Sequence, residues 1–562
     1  MSAHPSSLPC DHALFDQFVA FMGHDFGEQT QKSSLNETKN APTQITSGVA
    51  LQPSISFVSP PPVMMTSLPS ENTPLLSTSI PHIEEGVHCL NERGCPSTWV
   101  VFQEELEVLT KYTLPIFITN LFQYSFNIAS VVAIGRISTT ALAAATLAFM
   151  TASVSGYAIV QGLVSALDTL LPAAWTSSHP QLVGLWSQRM FVVTVATLIP
   201  VFMIWFNAEF ILLLLKQDPE VAYLAAVYLR WSSLGLPAYA FNCILRRYFQ
   251  SQGLFAVPTK IILVVAPINA ILNYVLVWGP EPIRVGFIGA PIATSISFNL
   301  VSISSVTYGI FYVDRTAWHP ISIQSFTCLG SVIKLGLAGI GQTTFEWWSW
   351  ELNNLAASLL GPVALATQSV LLISSYCTYQ APFALSLATS VRIGNLLGEK
   401  QARRASVSVY AAIVIAIAIS VIWSTMFISF RQSWAYLVND DPEVVALVAS
   451  ILPLVAMYQV FDGVAAVTGG VLRVQGKQLV GALLNFSAFY VIGIPFGVWL
   501  TFRMDMGLLG LWVGFTVSLI YCSVWGTYLC ITADWQKEVR KVVDRLAVES
   551  KNANQVEADE FI

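Results

Sequence analysis

Residues 341–359 read GQTTFEWWSWELNNLAASL, and the apolar segment that follows closes with SVRIGNLLGEKQARRA at residues 390–405. Glu346 and Glu351 stand here in apolar sequence crowded with Trp347, Trp348 and Trp350. A carboxylate near the centre of a membrane-spanning helix costs roughly 2.5–3.5 kcal/mol on insertion scales, so an acid kept there points to function by default. The stretch predicts a spanning helix that carries a working acid, and the remaining sequence is read outward from it.

The composition agrees with a bilayer as solvent. Of 562 residues 54% are hydrophobic and only 11% charged, with mean hydropathy +0.61, whereas about 25% of residues in soluble domains are charged. An all-α polytopic membrane protein is expected. The net charge of −6 gathers in tails and loops and gives no reason to expect nucleic acid. Eight cysteines are scattered without a close CxxC pair, so neither a disulfide framework nor a zinc site is expected, and no metal or other cofactor is implied. All seven histidines fall in the N-terminal tail or in predicted loops. That argues against membrane enzymes built on clustered histidine ligands or a buried histidine base.

Residues 1–98 are rich in Ser, Thr and Pro and read as a disordered cytosolic tail. Its ALFDQFVAFMGHDF, residues 13–26, reads as a transient helix. ENTPLL at residues 71–76, with Glu71, Leu75 and Leu76, looks like an acidic dileucine sorting signal, which implies a sorting adaptor as partner and a vacuolar or other endomembrane location; the plasma membrane is the alternative. From Lys111 onward, at about 20 residues per span, helices are expected near 114–134, 141–170, 189–211, 222–247, 257–278 and 287–312. A second set follows near 332–357, 363–391, 405–429, 444–472, 478–502 and 508–532. This makes two lobes, 99–313 and 328–533, joined by a linker at 314–327 and followed by a tail, 534–562, that reads as a solvated helix. With the N-terminus inside, inner loops and helix ends carry twelve Lys and Arg against six outside, which places both termini in the cytosol.

The two sets of six resemble each other. RRYFQSQGLFAVPTK after the fourth helix parallels GGVLRVQGKQLVGAL after the tenth, and VGFIGAPIATSIS parallels MGLLGLWVGFTVS. Matching Gly253 to Gly476 gives 476 − 253 = 223, and Gly286 to Gly507 gives 507 − 286 = 221. Six helices separate the copies, so they share one orientation and are related by a pseudo-two-fold axis along the membrane normal. That arrangement fits a transporter with its site at midplane depth between the lobes.

Away from the loops, the acids within predicted spans are few: Asp168, Glu346, Glu351 and Asp462. Asp168 sits at the inner end of the second helix and reads as structural, as do Gly253 and Gly476. Glu346 and Asp462 fall on the first and fourth helices of the second lobe, where they can converge. Burial disfavours an ionised carboxylate and a nearby cation favours it, so such a pair can hold a proton or a cation but holds both less readily. That competition is the minimum an antiporter needs. Tryptophan faces attract organic cations by roughly 0.5–2 kcal/mol, which makes Trp347 and Trp350 cavity candidates, with packing against helices or lipid as the other reading. Glu351 lies about 140° around the helix from Glu346 and is a second candidate. The plain alternative for each acid is a hydrogen bond to a polar neighbour. Pro115, Pro237, Pro382 and Pro495 can each bend a spanning helix.

The motifs SALDTL, RRYFQSQG, FEWWSWE, SLATSVRIGNLLGE and FDGVAAVTGGVLRVQGKQLVGALLN resemble, in order, those of eukaryotic, fungal-like members of the multidrug and toxic compound extrusion (MATE) transporters, over roughly residues 100 to 540. The resemblance implies two six-helix lobes around a cavity open to one side at a time. It further implies export of small organic, often cationic, compounds against protons or sodium, with the acids matching Glu346 and Asp462 holding proton or substrate and an acid commonly found at the position of Glu351. Helix one contains no acid and offers only Gln123, Tyr124 and Asn127; helix eight offers Tyr376, Tyr379 and Gln380. Residues 171–177, LPAAWTS, depart from the family pattern after the second-helix motif. A lipid-linked oligosaccharide flippase of related architecture is the nearest rival, and would line its cavity with basic residues where none is expected here in mid-helix. A membrane-embedded enzyme is disfavoured because no nucleophile motif is recognisable. Beyond substrate, membrane lipid and sorting adaptor, no obligatory partner or second copy is expected.

Overall fold

The computed structural model describes residues 97–560, with side chains to residue 551. The dileucine residues Glu71, Leu75 and Leu76 and the 13–26 segment lie outside the described residues. What is described is helical, with no β-strand among the described residues.

Helix α1, Thr98–Gly135, is capped by the Ser97 hydroxyl, which accepts from the Val100 amide. It starts well before residue 114, where apolarity alone would begin it. The early turns hold acids that are paired instead of solvated. Glu105, fully buried, meets Arg392 at 2.6 Å and Arg404 at 2.5 Å, while Glu104 meets Arg404 at 2.8 Å. Helix α2 spans Thr139–Trp175 and contains a π-helical stretch, Ser153–Tyr157. Its far end runs as helix through the divergent residues 171–175. Helix α3, Leu182–Phe206, precedes a fourth crossing, α4, built of two pieces, Pro219–Ser232 and Leu236–Ser251. The break falls just before Pro237, which lacks the amide hydrogen needed to continue the ladder.

Helices α5, Ala256–Trp278, and α6, Gly289–Tyr312, complete the first lobe. The second consists of α7, Leu329–Ser358, α8, Pro362–Gly398, α9, Ala402–Ser429, α10, Pro442–Val474, α11, Gln478–Arg503, and α12, Leu508–Ile531. Among the described residues, ten helices are long and apolar enough to cross a membrane. The broken α4 and the polar, acid-bearing α7 bring the crossings to twelve.

The repeat is visible in the backbone. Gly253 and Gly476, which end the matched helices α4 and α10, both take positive φ, +77° and +71°, and the matched Gly286 and Gly507 do likewise at +70° and +55°. Positive φ of this kind strongly favours glycine, which has no Cβ to clash. Packing follows the same symmetry, because the first helix of each lobe lies against the second helix of the other, α1 on α8 and α7 on α2.

Helix α13, Trp535–Glu560, corrects the expectation of a solvated tail. Trp535, Val539, Val542 and Leu546 recur at helical spacing and are buried in the large apolar cluster beneath the lobes. Glu549 pairs with Arg189 of α3 at 2.8 Å, and Glu538 with Lys477 of the α10–α11 turn at 3.1 Å. Burial pushes the Arg545 guanidinium down from its ordinary value, with Glu538 and Glu549 working against that effect. The helix therefore touches both lobes.

Candidate functional site

Helices α7, α8 and α10 bring the acids together. The Tyr379 hydroxyl of α8 donates to Glu346 Oε1 of α7 at 3.0 Å. Asp462, one turn beyond Tyr458 on α10, is 5% exposed and leaves Oδ2 without a partner. The two carboxyls are close enough to interact electrostatically, and Tyr379 feels both. Glu346 keeps some accessible surface, and its carboxyl turns to Tyr379 of α8. Two like charges at such range disfavour double ionisation, and the unused oxygens are acceptors for a proton or a cation.

The aromatic candidates separate. Trp350 packs against Phe515 at 4.2 Å and edge-on to Tyr458 and Trp512 at 6.1 Å each, in the core of the second lobe. Trp347 stays half-buried. Trp348, which was not singled out as a cavity residue, crosses to the other lobe, its indole donating to the Val154 carbonyl of α2 at 3.1 Å. Glu351 is drawn into a different network. It accepts from the Asn354 amide at 3.4 Å; Asn354 accepts from Gln368 at 3.0 Å, and Gln368 from the Trp512 indole at 2.9 Å.

Between the lobes Tyr124 of α1 lies against Tyr376 of α8, with ring centres 4.4 Å apart. Gln380 turns its amide to the Tyr376 carbonyl at 3.4 Å, and Asn127 is half-buried. Gln123 accepts a hydrogen bond from Arg246 of α4, whose other end donates to Asn120 Oδ1 at 3.4 Å. Arg246 stands in the last turns of α4 and turns its guanidinium toward α1. In sequence Arg246 and Arg247 form a basic pair just before the glycine turn that ends α4. The signal that separates the two is register: neighbours on a helix point about 100° apart, so Arg247 reaches Asp168 while Arg246 turns to α1.

Below the site the lobes are sealed. Asp168 Oδ1 accepts from Arg247 Nε at 2.8 Å within the first lobe, and its Oδ2 lies 3.6 Å from Arg473 Nε of α10. Thr169 donates to the Arg473 carbonyl at 2.6 Å, and Thr176 to the Asn395 carbonyl at 2.7 Å. Gly162 of α2 and Gly339 of α7 meet backbone to backbone, with no room for a Cβ on either. No group of three or more His, Cys, Asp or Glu that could hold a metal occurs among the described residues.

Comparison with known proteins accords with this architecture. The MatE family matches residues 115–275 and 340–499. A transporter of Schizosaccharomyces pombe is 37% identical over 432 residues, 77% of this chain and 80% of its own length. Human multidrug and toxin extrusion protein 1 is 30% identical over 439 residues, 78% of this chain and 76% of its own. The crystal structure of the eukaryotic MATE transporter AtDTX14 superposes with a TM-score of 0.75 at 29% identity, covering 79% of this chain and 99% of that one. With the family pattern spanning more than half of the sequence and the fold shared over 79% of it, the chain belongs to the MatE family of membrane transporters.

Proposed function

We propose that this transporter exports small organic compounds in exchange for protons by alternating access, with Glu346 and Asp462 as the coupling pair. The observation that carries the reading is the arrangement around those acids. Glu346 receives the Tyr379 hydroxyl, Asp462 is buried within electrostatic reach of that tyrosine, and Asp462 keeps a buried oxygen that nothing in the protein satisfies. An unsatisfied buried acceptor costs about 1–3 kcal/mol, which a bound proton or cation would remove. Sodium can occupy carboxylate oxygens as well, so the ion is tested together with the site.

The experiment is uptake of a fluorescent organic cation into proteoliposomes under an imposed pH gradient, comparing wild type with Glu346→Gln and Asp462→Asn. Gradient-driven uptake without sodium, lost in both variants at equal protein content, is expected. Uptake that survives both substitutions would remove these acids from the mechanism. For location, an endomembrane compartment such as the vacuole follows from ENTPLL; Leu75→Ala with Leu76→Ala should move a fluorescent fusion to the cell surface, and an unchanged distribution would refute the motif.

A further inference from the structure

The first lobe holds a charge that the protein does not neutralise. Arg189 pairs with Glu549, Arg247 and Arg473 share Asp168, and Arg392 and Arg404 share Glu105. Arg246 has no carboxylate partner among the described residues. Its two side-chain hydrogen bonds go to neutral amide oxygens, of Asn120 and Gln123, although guanidinium offers five donors. Its charged neighbour is Arg247, of like sign. Asn120 adds a second, independent observation. It is 7% exposed, its Oδ1 is taken by Arg246, and its Nδ2 has no partner. A buried amide donor without an acceptor, beside a guanidinium without an anion, is a half-built anion site.

The position of this cluster is equally specific. Asn120 and Gln123 lie on α1 about 22–27 Å along the helix from Glu105, at 1.5 Å per residue, which puts them within the bilayer. The next residue, Tyr124, contacts Tyr376 of the second lobe, and one turn along α8 from Tyr376 stands Tyr379, bonded to Glu346. Arg246, Gln123 and Glu346 are all partly accessible. The line of contacts from Arg246 through Gln123, Tyr124, Tyr376 and Tyr379 to Glu346 thus has donors at one end and acceptors at the other.

We propose that Arg246, with Asn120, binds the anionic group of an amphoteric organic substrate, a carboxylate, sulfonate or phosphate, whose cationic end faces Glu346 and Asp462. This rests on the export reading above and narrows its substrate class. A bidentate guanidinium–oxyanion pair supplies orientation as well as affinity. A lipid-linked pyrophosphate, with its greater charge, would call for several free cations, whereas here the other buried arginines with ion pairs are already matched to acids.

The test uses purified full-length protein and two probes matched except for one charge: rhodamine B, which bears a carboxylate, and its ethyl ester, which does not. Binding is read by fluorescence polarisation and needs no ion gradient. Wild type should bind both. Arg246→Gln should weaken rhodamine B by about tenfold or more while the ester stays within about twofold, and Arg246→Lys should recover part of the loss. Gln123→Glu, which places a carboxylate beside an intact Arg246, should weaken rhodamine B selectively without removing the arginine, and so guards against a folding defect in the first variant. Equal loss of both probes in every variant, or no loss in any, would overturn the proposal. A wild type that binds the ester but not rhodamine B would also overturn it while leaving the export reading standing; a wild type that binds neither would count against both.

Discussion

Tyr379 is the residue through which the two acids are joined. Its hydroxyl carries one proton and can donate to one carboxylate at a time; in this structure it serves Glu346, with Asp462 within electrostatic reach. Tyr379→Phe keeps the ring and removes that donor. Since a hydrogen bond to a charged group contributes about 1.5–3 kcal/mol, gradient-driven uptake in proteoliposomes is expected to fall by about tenfold while the thermal unfolding temperature is little changed. An unaltered uptake rate would show that the hydroxyl serves packing alone. The acids were legible in the sequence because a carboxylate in apolar surroundings needs a reason. Arg246 was not, because a basic pair at a helix end is the ordinary signature of a membrane boundary, and only the three-dimensional register shows that one member turns inward.

At the scale of elements, α13 shows how a charged surface can conceal an apolar one. Its sequence interleaves Lys, Arg, Asp and Glu with Trp535, Val539, Val542 and Leu546, and read without a partner it is a solvated helix. Burial of these four side chains and the Arg189–Glu549 pair, 2% and 9% exposed, bind it under the bundle. Breaking a buried pair by removing one partner costs about 3–5 kcal/mol, whereas replacing both by apolar residues is often neutral. Arg189→Met or Glu549→Leu alone should therefore lower the unfolding temperature of the purified protein, and the double variant should restore most of it. Losses that simply add would mean that the two side chains are not coupled. The same logic explains α1. Its first turns look like tail because they are acidic, and become helix because Arg392 and Arg404 of the second lobe receive those acids.

For the whole molecule, the duplication was readable from the constant offset between glycine turns, since positive φ is a demand of the backbone that few residues other than glycine meet. Helix ends, the break in α4 and the π-helical stretches in α2 and α11 were not readable, because they answer to packing across the bundle. Gly156 of the α2 stretch, for example, faces the Trp205 ring so closely that a Cβ would clash, and the Trp205 indole donates to Ser155 at 3.0 Å. The crossing of Gly162 and Gly339 has a mechanical consequence. Glu346 lies on the same helix about 10 Å beyond Gly339, at 1.5 Å per residue, so α7 acts as a lever whose fulcrum is the glycine contact and whose load is a carboxylate. A tilt of about 10° there would carry Glu346 by about 2 Å, enough to part it from Tyr379, so that under the proposed exchange the proton site and the lobe contact would share one rigid arm.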